Sequence, residues 1–317
     1  MGPKAIDLFA GAGGLSLGLT YSGIDVVGAI EWEEKAAASY KYNLGNHIIC
    51  EDIKKFGPKK METFLKKTGA IKSKKEIDII CGGPPCPGFS LIGRSKISNL
   101  IKTGEWQGSD FRHSFIDDER NELFLEFVKY VEFFRPKVFI MENVAGMKSY
   151  LSSGNAPIID IINQEFESLG YRVNVKILNS ANYGVPQNRE RILFFGTRIK
   201  KKFSHPKGFE WTNSIQDAFS DLPEVNPIDG KPKSTELKLM KDIKGKRRKK
   251  FINWSRSQSV PIKRKRRHRD CTLHNTRKVN PRDQAIFPLL TSGQFSERIL
   301  YKHVFPDLLE QVKRLLP

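Results

Sequence analysis

The sequence predicts an α/β fold followed by a second, smaller, irregular and basic region. Over about the first 200 residues, short β-branched runs alternate with helical patterns, and a glycine-rich turn follows the first run. That alternation is typical of a parallel sheet with crossover helices. Beyond Arg198 the periodicity fades and the composition shifts to Lys, Arg, Pro, Asn and Ser. We therefore predict one domain over residues 1–200 and a second over residues 201–317.

The predicted elements of the first region follow one another in a regular order. The predicted strands are rich in Val and Ile, as β-strands generally are, and they read "KAIDLF", "DVVGAIE", "HIIC", "EIDII", "PKVFIMENV", "RVNVKILN" and "RILFFGTR". The predicted helices read "GLSLGLTYSG", "EEKAAASYKYNL", "DERNELFLEFVKYVEFF" and "PIIDIINQEFESLG". Beyond residue 200 we predict no long helix before "FPDLLEQVKRLL".

The composition favours a protein that binds a polyanion in a reducing compartment. A formal net charge of +19 over 317 residues is more basic than solubility requires, and nucleic acid is the first candidate partner. No stretch approaches the roughly 18 consecutive apolar residues of a membrane span, so we expect a cytoplasmic protein with no membrane partner. The four cysteines form no CxxC pair, and we expect no metal site.

A glycine-rich turn and two carboxylates indicate a nucleotide-like ligand. The stretch "DLFAGAGGLSLG", with Gly11 and Gly13, follows the first strand and opens a helix, as in Rossmann-like folds. Glu31 ends the second strand 20 residues after Gly11, at the position from which a carboxylate accepts ribose hydroxyls. Asp52 follows the third strand. The alternative is that the glycines form only a tight turn and that Glu31 and Asp52 cap helices.

A cysteine and a carboxylate follow the next two strands. Cys86 lies in "GGPPCPGFS", a loop too rich in Pro and Gly for regular structure, so its thiol should be exposed there. A working cysteine nucleophile needs donors or a cation nearby, because an ordinary thiol is mostly protonated at neutral pH. Glu142 and Asn143 end the apolar run "VFIM". Alternatively, the cysteine is incidental and "EN" is only a turn.

A polar triplet precedes the last predicted strand. Gln187, Arg189 and Arg191 alternate in "QNRER", and alternate residues of a strand share one face. We expect these three side chains to point together at the rim of the sheet, where they can hold an anion or a carbonyl group. Two solvated surface arginines are the alternative.

The four stretches "DLFAGAGGLSLG", "GGPPCPGFS", "ENV" and "QNRER" resemble, in this order and at these separations, the motifs of the DNA cytosine C5-methyltransferases. The resemblance covers about the first 200 residues. It implies a Rossmann-like sheet that binds S-adenosylmethionine, and a bacterial, nucleoid-associated enzyme of a restriction-modification system. It also implies that Cys86 adds to C6 of cytosine, that Glu142 contacts N3 and the exocyclic amine, and that Arg191 meets the carbonyl oxygen.

The remaining expected site residues also follow from the resemblance. Arg189 joins the catalytic set and, with Gln187, organises the loop and the target, while Asn143 and Gln187 are expected to bind the substrate. The implied cofactor pocket is lined by Phe9, Gly11, Gly13, Glu31, Trp32, Asp52 and Pro84. Because the target atom is inaccessible inside double-stranded DNA, the base must be flipped into the pocket.

A basic tract over residues 241–269 is the expected DNA-binding surface. It contains Arg247, Arg248, Lys249 and Lys250 and lies where the family carries its target-recognition domain. Phosphate contacts from such residues supply affinity, and contacts to base edges supply sequence preference. The alternative is a nonspecific tail.

Two departures from the family pattern leave alternatives open. Pro87 stands where glutamine is common, and the usual closing Gly-Asn-x-Val segment is absent before "VKRLLP". We therefore expect either a truncated chain or one subunit of a split enzyme, with a second polypeptide carrying the missing segment. Methylation of transfer RNA and a catalytically idle DNA-binding subunit are the alternative functions.

Overall fold

The computed structural model describes part of the chain, namely residues 2–85, 122–149, 157–200, 205–222, 237–238, 245–257 and 270–271. The chain divides into two units. One comprises Met1–Ile215 with Gln258–Arg264, and the other comprises Gln216–Ser257 with Lys265–Pro317. Assignment of residues 1–200 and 201–317 to two functional domains stays a prediction.

The first unit contains a seven-stranded sheet with strand order β3-β2-β1-β4-β5-β7-β6. Its strands are β1 (Lys4–Leu8), β2 (Asp25–Glu31), β3 (Ile48–Cys50), β4 (Ile77–Gly82), β5 (Val138–Val144), β6 (Arg172–Asn179) and β7 (Glu190–Thr197). The helices of this region are α1 (Gly14–Tyr21), α2 (Glu34–Leu44), α3 (Pro58–Lys67), α4 (Glu122–Phe134) and α5 (Ile158–Ser168). All seven predicted strands and the first four predicted helices are present, whereas the predicted helical segment "FPDLLEQVKRLL" lies outside the described residues. The α/β fold is therefore confirmed.

Further short elements follow. They are α6 (Ile215–Phe219), α7 (Lys246–Ser257), β8 (Leu237–Lys238) and β9 (Asp270–Cys271). Strands β8 and β9 form a separate antiparallel pair. Within the part of the chain that the structure describes, no helix has both the length and the apolar character needed to cross a bilayer.

The direction of β7 differs from the predicted parallel sheet. Strands β1 to β5 pair in parallel, but β7 pairs antiparallel with both β5 and β6. A parallel connection needs a crossover of a dozen or more residues, usually a helix. Only a short 3₁₀ turn, Ser180–Tyr183, lies in the connection between β6 and β7. As a result, β7 begins at the edge of the sheet where β5 ends, and Arg191 is the register partner of Val144.

Among the described residues, the helices α3, α6 and α7 were not predicted from the sequence. Helix α3 buries Met61 and Leu65, which lie one turn apart, and it begins at a proline that is favourable in the first helical turn. Helix α7 lies within the basic tract, so the prediction of no long helix before the C-terminal segment was wrong. The dense charge of the tract conceals its helical periodicity.

The core beside β5 is largely aromatic. Phe139 of β5 lies 4.0 Å from Phe166 of α5 and 6.1 Å from Phe127 of α4, measured between ring centroids. Gly196 is the register partner of Phe139 on β7, and a Cβ atom at Gly196 would overlap the Phe139 ring. The glycine therefore allows the ring to lie over the neighbouring strand.

A buried polar chain links β1 to the glycine-rich turn and to α2. Asp7 Oδ2 accepts hydrogen bonds from the Ser16 backbone N–H (3.1 Å) and from the Ser16 hydroxyl (2.6 Å). The Ser16 oxygen lies 2.9 Å from the Tyr40 hydroxyl, which lies 2.9 Å from His47 Nε2. Burial raises the pKa of Asp7 to about 6, although the Ser16 hydrogen bonds act in the opposite direction.

We predict that Asp7→Asn removes a pH-dependent component of stability. The pKa of Asp7 is higher in the folded chain than its ordinary 3.8. Its contribution to stability is therefore fully present below about pH 4 and is lost as the pH rises through about 6. Over that interval the wild type should lose about 3 kcal/mol of unfolding free energy relative to Asp7→Asn. Urea denaturation at several pH values measures this difference.

Asp160→Asn, which changes an exposed carboxylate on α5, is the matched control. A stability difference between wild type and Asp7→Asn that stays constant from about pH 4 to pH 7 would contradict the assignment.

Candidate active site

The predicted site residues that the structure describes lie mostly at one edge of the sheet. Strands β1, β2, β4 and β5 are parallel, so their carboxyl ends meet at this edge. Open α/β sheets bind their ligands there. Phe9, Glu31, Pro84 and Asn143 all lie at or directly after these strand ends. We call this edge the catalytic rim.

The glycine-rich turn is held by Glu31. Gly11 donates its backbone N–H to Glu31 Oε2 at 2.8 Å, and Glu33 donates its own to Oε1 at 2.9 Å. Phe9 and Gly11 have φ angles of 57° and 56°. Such a conformation is strained for a bulky residue and persists only where the surroundings hold it. The turn is therefore tied to the end of β2 and has one defined shape.

A glycine is required at position 13 because the backbone conformation there disfavours a side chain and because no space is left for a Cβ atom. Its φ angle is 96°, and a Cβ atom would overlap the side chains of Leu44 and Tyr40. The sequence predicted a glycine turn here but gave no indication that α2 packs against it. The close packing brings the start of α1 against α2.

The groups around the turn fit an adenosine-like ligand. Glu31 is buried, and after its two backbone hydrogen bonds each carboxylate oxygen still has a lone pair with which to accept a hydroxyl. No atom lies within 4 Å of the position that a Cβ would take at Gly11, so the space beside the turn is open. Trp32 is 73% exposed and offers an aromatic face. Asp52 is half-buried and accepts the Lys54 N–H at 2.9 Å.

The described residues contain no cluster of three or more His, Cys, Asp or Glu side chains arranged to hold a metal ion.

Glu142 and Arg191 form an ion pair at the catalytic rim. The Arg191 Nε donates to Glu142 Oε1 at 2.7 Å, and both side chains are about three-quarters buried, with exposures of 29% for Glu142 and 24% for Arg191. Arg191 Nη1 also donates to the carbonyl of Glu190. The pair lies where β5 ends and β7 begins. It places a hydrogen-bond acceptor and a cation side by side, facing partly into solvent.

Asn143 and Gly83 connect this pair to the start of the cysteine loop. Asn143 is buried and donates from Nδ2 to the carbonyl of Pro84 at 3.1 Å. A Cβ atom at Gly83 would lie 3.1 Å from Glu142 Oε2, so the backbone passes close to the carboxylate. Pro84 is itself buried. Cys86 and Pro87 lie outside the described residues, but the chain leads toward Cys86 from directly beside Glu142.

The three polar residues of "QNRER" do not share one strand. Only Arg191 lies in β7, which begins at Glu190, while Gln187 and Arg189 are exposed in the preceding loop. The expectation of one common strand face was therefore wrong. Asn179 shapes the loop, because its Oδ1 accepts the backbone N–H groups of Ala181 (3.0 Å) and Arg189 (3.2 Å). The side chain of Arg189 is thus held outside the sheet.

The basic tract contributes helix α7. Arg248 is engaged by Asp217, at 3.4 Å, and by Gln216, at 2.6 Å. Lys249 and Lys250 are exposed. Arg247 lies in the same helix, but its side chain is outside what the structure describes. Of the described cations predicted to bind phosphate, the two lysines are therefore the accessible ones.

Asp7 and Ser16 were missed as residues that shape the site. Both are buried, and their hydrogen bonds hold the start of α1 behind the glycine turn. One signal in the sequence could have found Asp7, because a charged residue inside the apolar run "KAIDLF" is costly unless it has partners. The hydrogen bonds to Asp7 also explain why position 16 is a serine, which the glycine pattern alone does not explain.

Comparisons with known proteins point to one protein family. The family model of the C-5 cytosine-specific DNA methylases matches residues 3–288. The chain is 37% identical over 235 residues to the type II methyltransferase M.DdeI of Desulfomicrobium norvegicum, which covers 71% of this chain and 49% of the relative. It is 34% identical over 226 residues to M1.HphI of Haemophilus parahaemolyticus, covering 70% and 53% of the two chains. The chain thus spans about half the length of these curated relatives.

Two further relatives are matched over more of their length. The type II methyltransferase M.AquIA of Picosynechococcus sp. is 31% identical over 268 residues, which is 77% of this chain and 97% of the relative. A crystal structure of a prophage-encoded DNA modification methyltransferase from E. coli has a TM-score of 0.57 and 27% identity, covering 76% of this chain and 62% of the other. The chain therefore belongs to the C-5 cytosine-specific DNA methylase family.

Proposed function

We propose that this protein methylates C5 of cytosine in double-stranded DNA with S-adenosylmethionine as the methyl donor, within a restriction-modification system. The observation that carries the proposal is the Glu142–Arg191 ion pair, which lies beside the start of the cysteine loop. A DNA-binding module that performs no chemistry has no need of a partly buried carboxylate and guanidinium beside a Pro-Cys loop. The family membership supports the same reaction class.

The proposed chemistry assigns one role to each of three side chains. The Cys86 thiolate forms a bond to C6 of the flipped cytosine, which opens the C5–C6 double bond and makes C5 nucleophilic. Once C5 carries the methyl group, it loses its proton, and the bond from Cys86 to C6 breaks, which restores the double bond and frees the thiolate. Glu142 contacts N3 and the exocyclic amine, and a proton delivered to N3 keeps negative charge from accumulating on the ring. Arg191 meets the carbonyl oxygen. The ion pair holds Glu142 and Arg191 next to each other, and a cytosine presents its N3 and carbonyl oxygen at adjacent positions.

The neighbouring polar residues position the catalytic set. Asn143 bonds the Pro84 carbonyl, so β5 and the first residues of the cysteine loop move together. Gln187 and Arg189 lie in an exposed loop anchored through Asn179, and we assign them to the DNA strand that carries the target. Glu142 and Arg191 are therefore assigned to contacts with the base, whereas Asn143 and Asn179 hold the loops beside it.

S-adenosylmethionine supplies an electrophilic methyl group when it is bound, and S-adenosylhomocysteine is the product that remains. Glu31 would accept the ribose hydroxyls, Trp32 would cover the adenine ring, and Asp52 would lie near the adenine amine. Phe9, Gly11 and Gly13 would form the turn beside the methionine portion. The open space at Gly11 and the remaining acceptor capacity of Glu31 support this assignment.

Cys86→Ser should abolish methyl transfer and leave DNA binding largely intact, because a hydroxyl is a far weaker nucleophile of similar size. The assay is incubation with radiolabelled S-adenosylmethionine and mixed DNA and RNA, followed by nucleoside analysis. We expect label in 5-methyldeoxycytidine with the wild type. A duplex carrying 5-fluorocytosine should trap the wild type covalently at Cys86, since fluorine cannot leave as a proton does.

The controls separate the competing functions. Cys50→Ser changes an exposed cysteine at the end of β3 that has no role in bonding to the base, and it should retain covalent trapping at Cys86. Label only in 5-methylcytidine from RNA would replace the DNA assignment with RNA methylation. Tight DNA binding with no label in either nucleic acid would indicate an idle DNA-binding subunit.

We also propose that the exposed lysines of α7 contact DNA phosphates. Lys249→Ala combined with Lys250→Ala should flatten the slope of log affinity against log salt by about 0.9 for each phosphate that a lysine no longer neutralises. Fluorescence anisotropy with labelled duplex DNA measures the slope. Adding Arg247→Ala should flatten it further, whereas Arg248→Ala should have a smaller effect, because Arg248 already pairs with Asp217.

Lys59→Ala with Lys67→Ala, two exposed lysines on α3, is the matched control for charge. If the α7 and α3 double variants change the slope equally, the tract makes no specific phosphate contact.

A further inference from the structure

A short segment over residues 205–213 is fastened to the loop that precedes β7. Phe209 donates its backbone N–H to the Asn182 carbonyl at 2.7 Å, and Asn213 donates from Nδ2 to the Gly184 carbonyl at 2.7 Å. The Tyr183 hydroxyl donates to the carbonyl of Pro206 at 2.9 Å. These three hydrogen bonds join the two segments along most of their length. The segment therefore has a defined position on the first unit.

Two aromatic rings on this segment are stacked and exposed. The rings of Phe209 and Trp211 are nearly parallel, with an interplanar angle of 3° and centroids 4.9 Å apart. They remain 54% and 48% exposed. A Cβ atom at Gly184 would lie 3.5 Å from the Phe209 ring, so the ring rests on the loop backbone. We call Phe209 and Trp211 the aromatic pair.

The aromatic pair is anchored at the catalytic rim. The loop that holds it runs from Asn179, the end of β6, to Glu190, the start of β7. The next residue, Arg191, carries the ion pair with Glu142. The same loop also carries Arg189. Two exposed rings are therefore tied to the loop that delivers the proposed cytosine-binding arginine.

Positive charge lies beside the pair. Lys207 is exposed two residues before Phe209, and His205 Nε2 lies 3.1 Å from Asn174 Oδ1 on β6. Burial and the nearby ammonium of Lys176 lower the pKa of His205, although its hydrogen bond with Asn174 acts in the opposite direction, so the positive charge here is that of Lys207 and Lys176. Lys176 is itself exposed, and Glu210 is the acidic residue of the segment. The surface thus combines aromatic faces with cations, as surfaces that bind unpaired nucleic acid do.

We propose that the aromatic pair contacts the DNA strand that flanks the flipped cytosine, and packs against the base or sugar that loses its stacking neighbour. The proposal rests on the proposed function, because base flipping is what creates an unstacked position next to the target. Every base has a flat face that can stack on an aromatic ring, so the contact needs no particular sequence. The net charge of +19 favours a polyanion over an apolar partner on this surface.

The test compares DNA affinities of ring-removing and ring-keeping variants. The probe is a labelled duplex with one cytosine opposite an abasic site, which lowers the cost of flipping. Trp211→Ala and Phe209→Ala should each weaken binding about tenfold, while Trp211→Phe should keep most of the affinity. Tyr21→Ala is the matched control, because Tyr21 is also 48% exposed but lies at the far end of α1.

The salt dependence gives a second readout. Removal of a stacking ring should lower affinity at every salt concentration without changing the slope of log affinity against log salt, unlike removal of a lysine. Thermal unfolding checks that each variant is folded. Unchanged affinity in both Trp211→Ala and Phe209→Ala would overturn the proposal, and so would an equal decrease in Trp211→Ala and Trp211→Phe.

Failure of the two proposals can be told apart. Binding is measured without S-adenosylmethionine, so a chain that transfers no methyl group can still report on the aromatic pair. If wild type labels 5-methyldeoxycytidine while the ring-removing variants bind and react as wild type does, only the surface proposal fails. If wild type gives no label but ring removal weakens binding, only the proposed function fails.

Discussion

The antiparallel direction of β7 is the constraint on which the candidate active site depends. Because β7 runs opposite to β5, its first residues lie beside the last residues of β5, and Arg191 is placed within hydrogen-bond distance of Glu142. A parallel β7 would put its first residues at the opposite edge, more than about 15 Å away on the roughly 3.3 Å rise per residue of a strand. The same reversal places the loop between β6 and β7 at the catalytic rim. Arg189 and the anchoring point of the aromatic pair are therefore brought to that edge as well.

Hydrogen bonds to buried carboxylates hold the turn after β1. Glu31, at the end of β2, accepts the backbone N–H of Gly11, and Asp7, on β1, accepts the hydroxyl of Ser16 at the start of α1. Burying the Asp7 carboxylate costs stability at neutral pH, as the direction of its pKa shift indicates. Its oxygen is the acceptor for two Ser16 donors, and removing it would leave those donors buried without a partner. The hydrogen bonds from Ser16 partly offset the cost of burying Asp7. They also hold the turn in a single shape, which a preorganised binding pocket requires.

Charge is distributed unevenly over a chain that is basic overall. The carboxylates of Glu31, Glu33, Glu34 and Glu51 surround the end of β3, and after burial they raise the pKa of Cys50 there. This acidic edge repels phosphates and attracts cations, whereas the exposed lysines of α7 and those near His205 do the opposite. Under the proposed function, the edge with the carboxylates faces the cationic methyl donor and the basic surfaces face DNA. Net charge therefore predicts the class of partner, and the local arrangement decides where each partner can approach.

The sequence by itself determined the α/β class, the order of the predicted strands and helices, the glycine turn, and the family. These features depend on local periodicity or on motifs of a few residues, and such patterns survive without knowledge of distant contacts. Only the tertiary structure decided the direction of β7, the Glu142–Arg191 ion pair, the bond from Asn143 to Pro84, and the buried chain from Asp7 through Ser16 to Tyr40. Each of these joins residues that are far apart in sequence or on different elements, and strand register and side-chain packing select the partner. The alternation within "QNRER" predicted three side chains on one strand face. That prediction failed because the start of β7 is set by its pairing with β5 and β6 and not by the alternation within the motif.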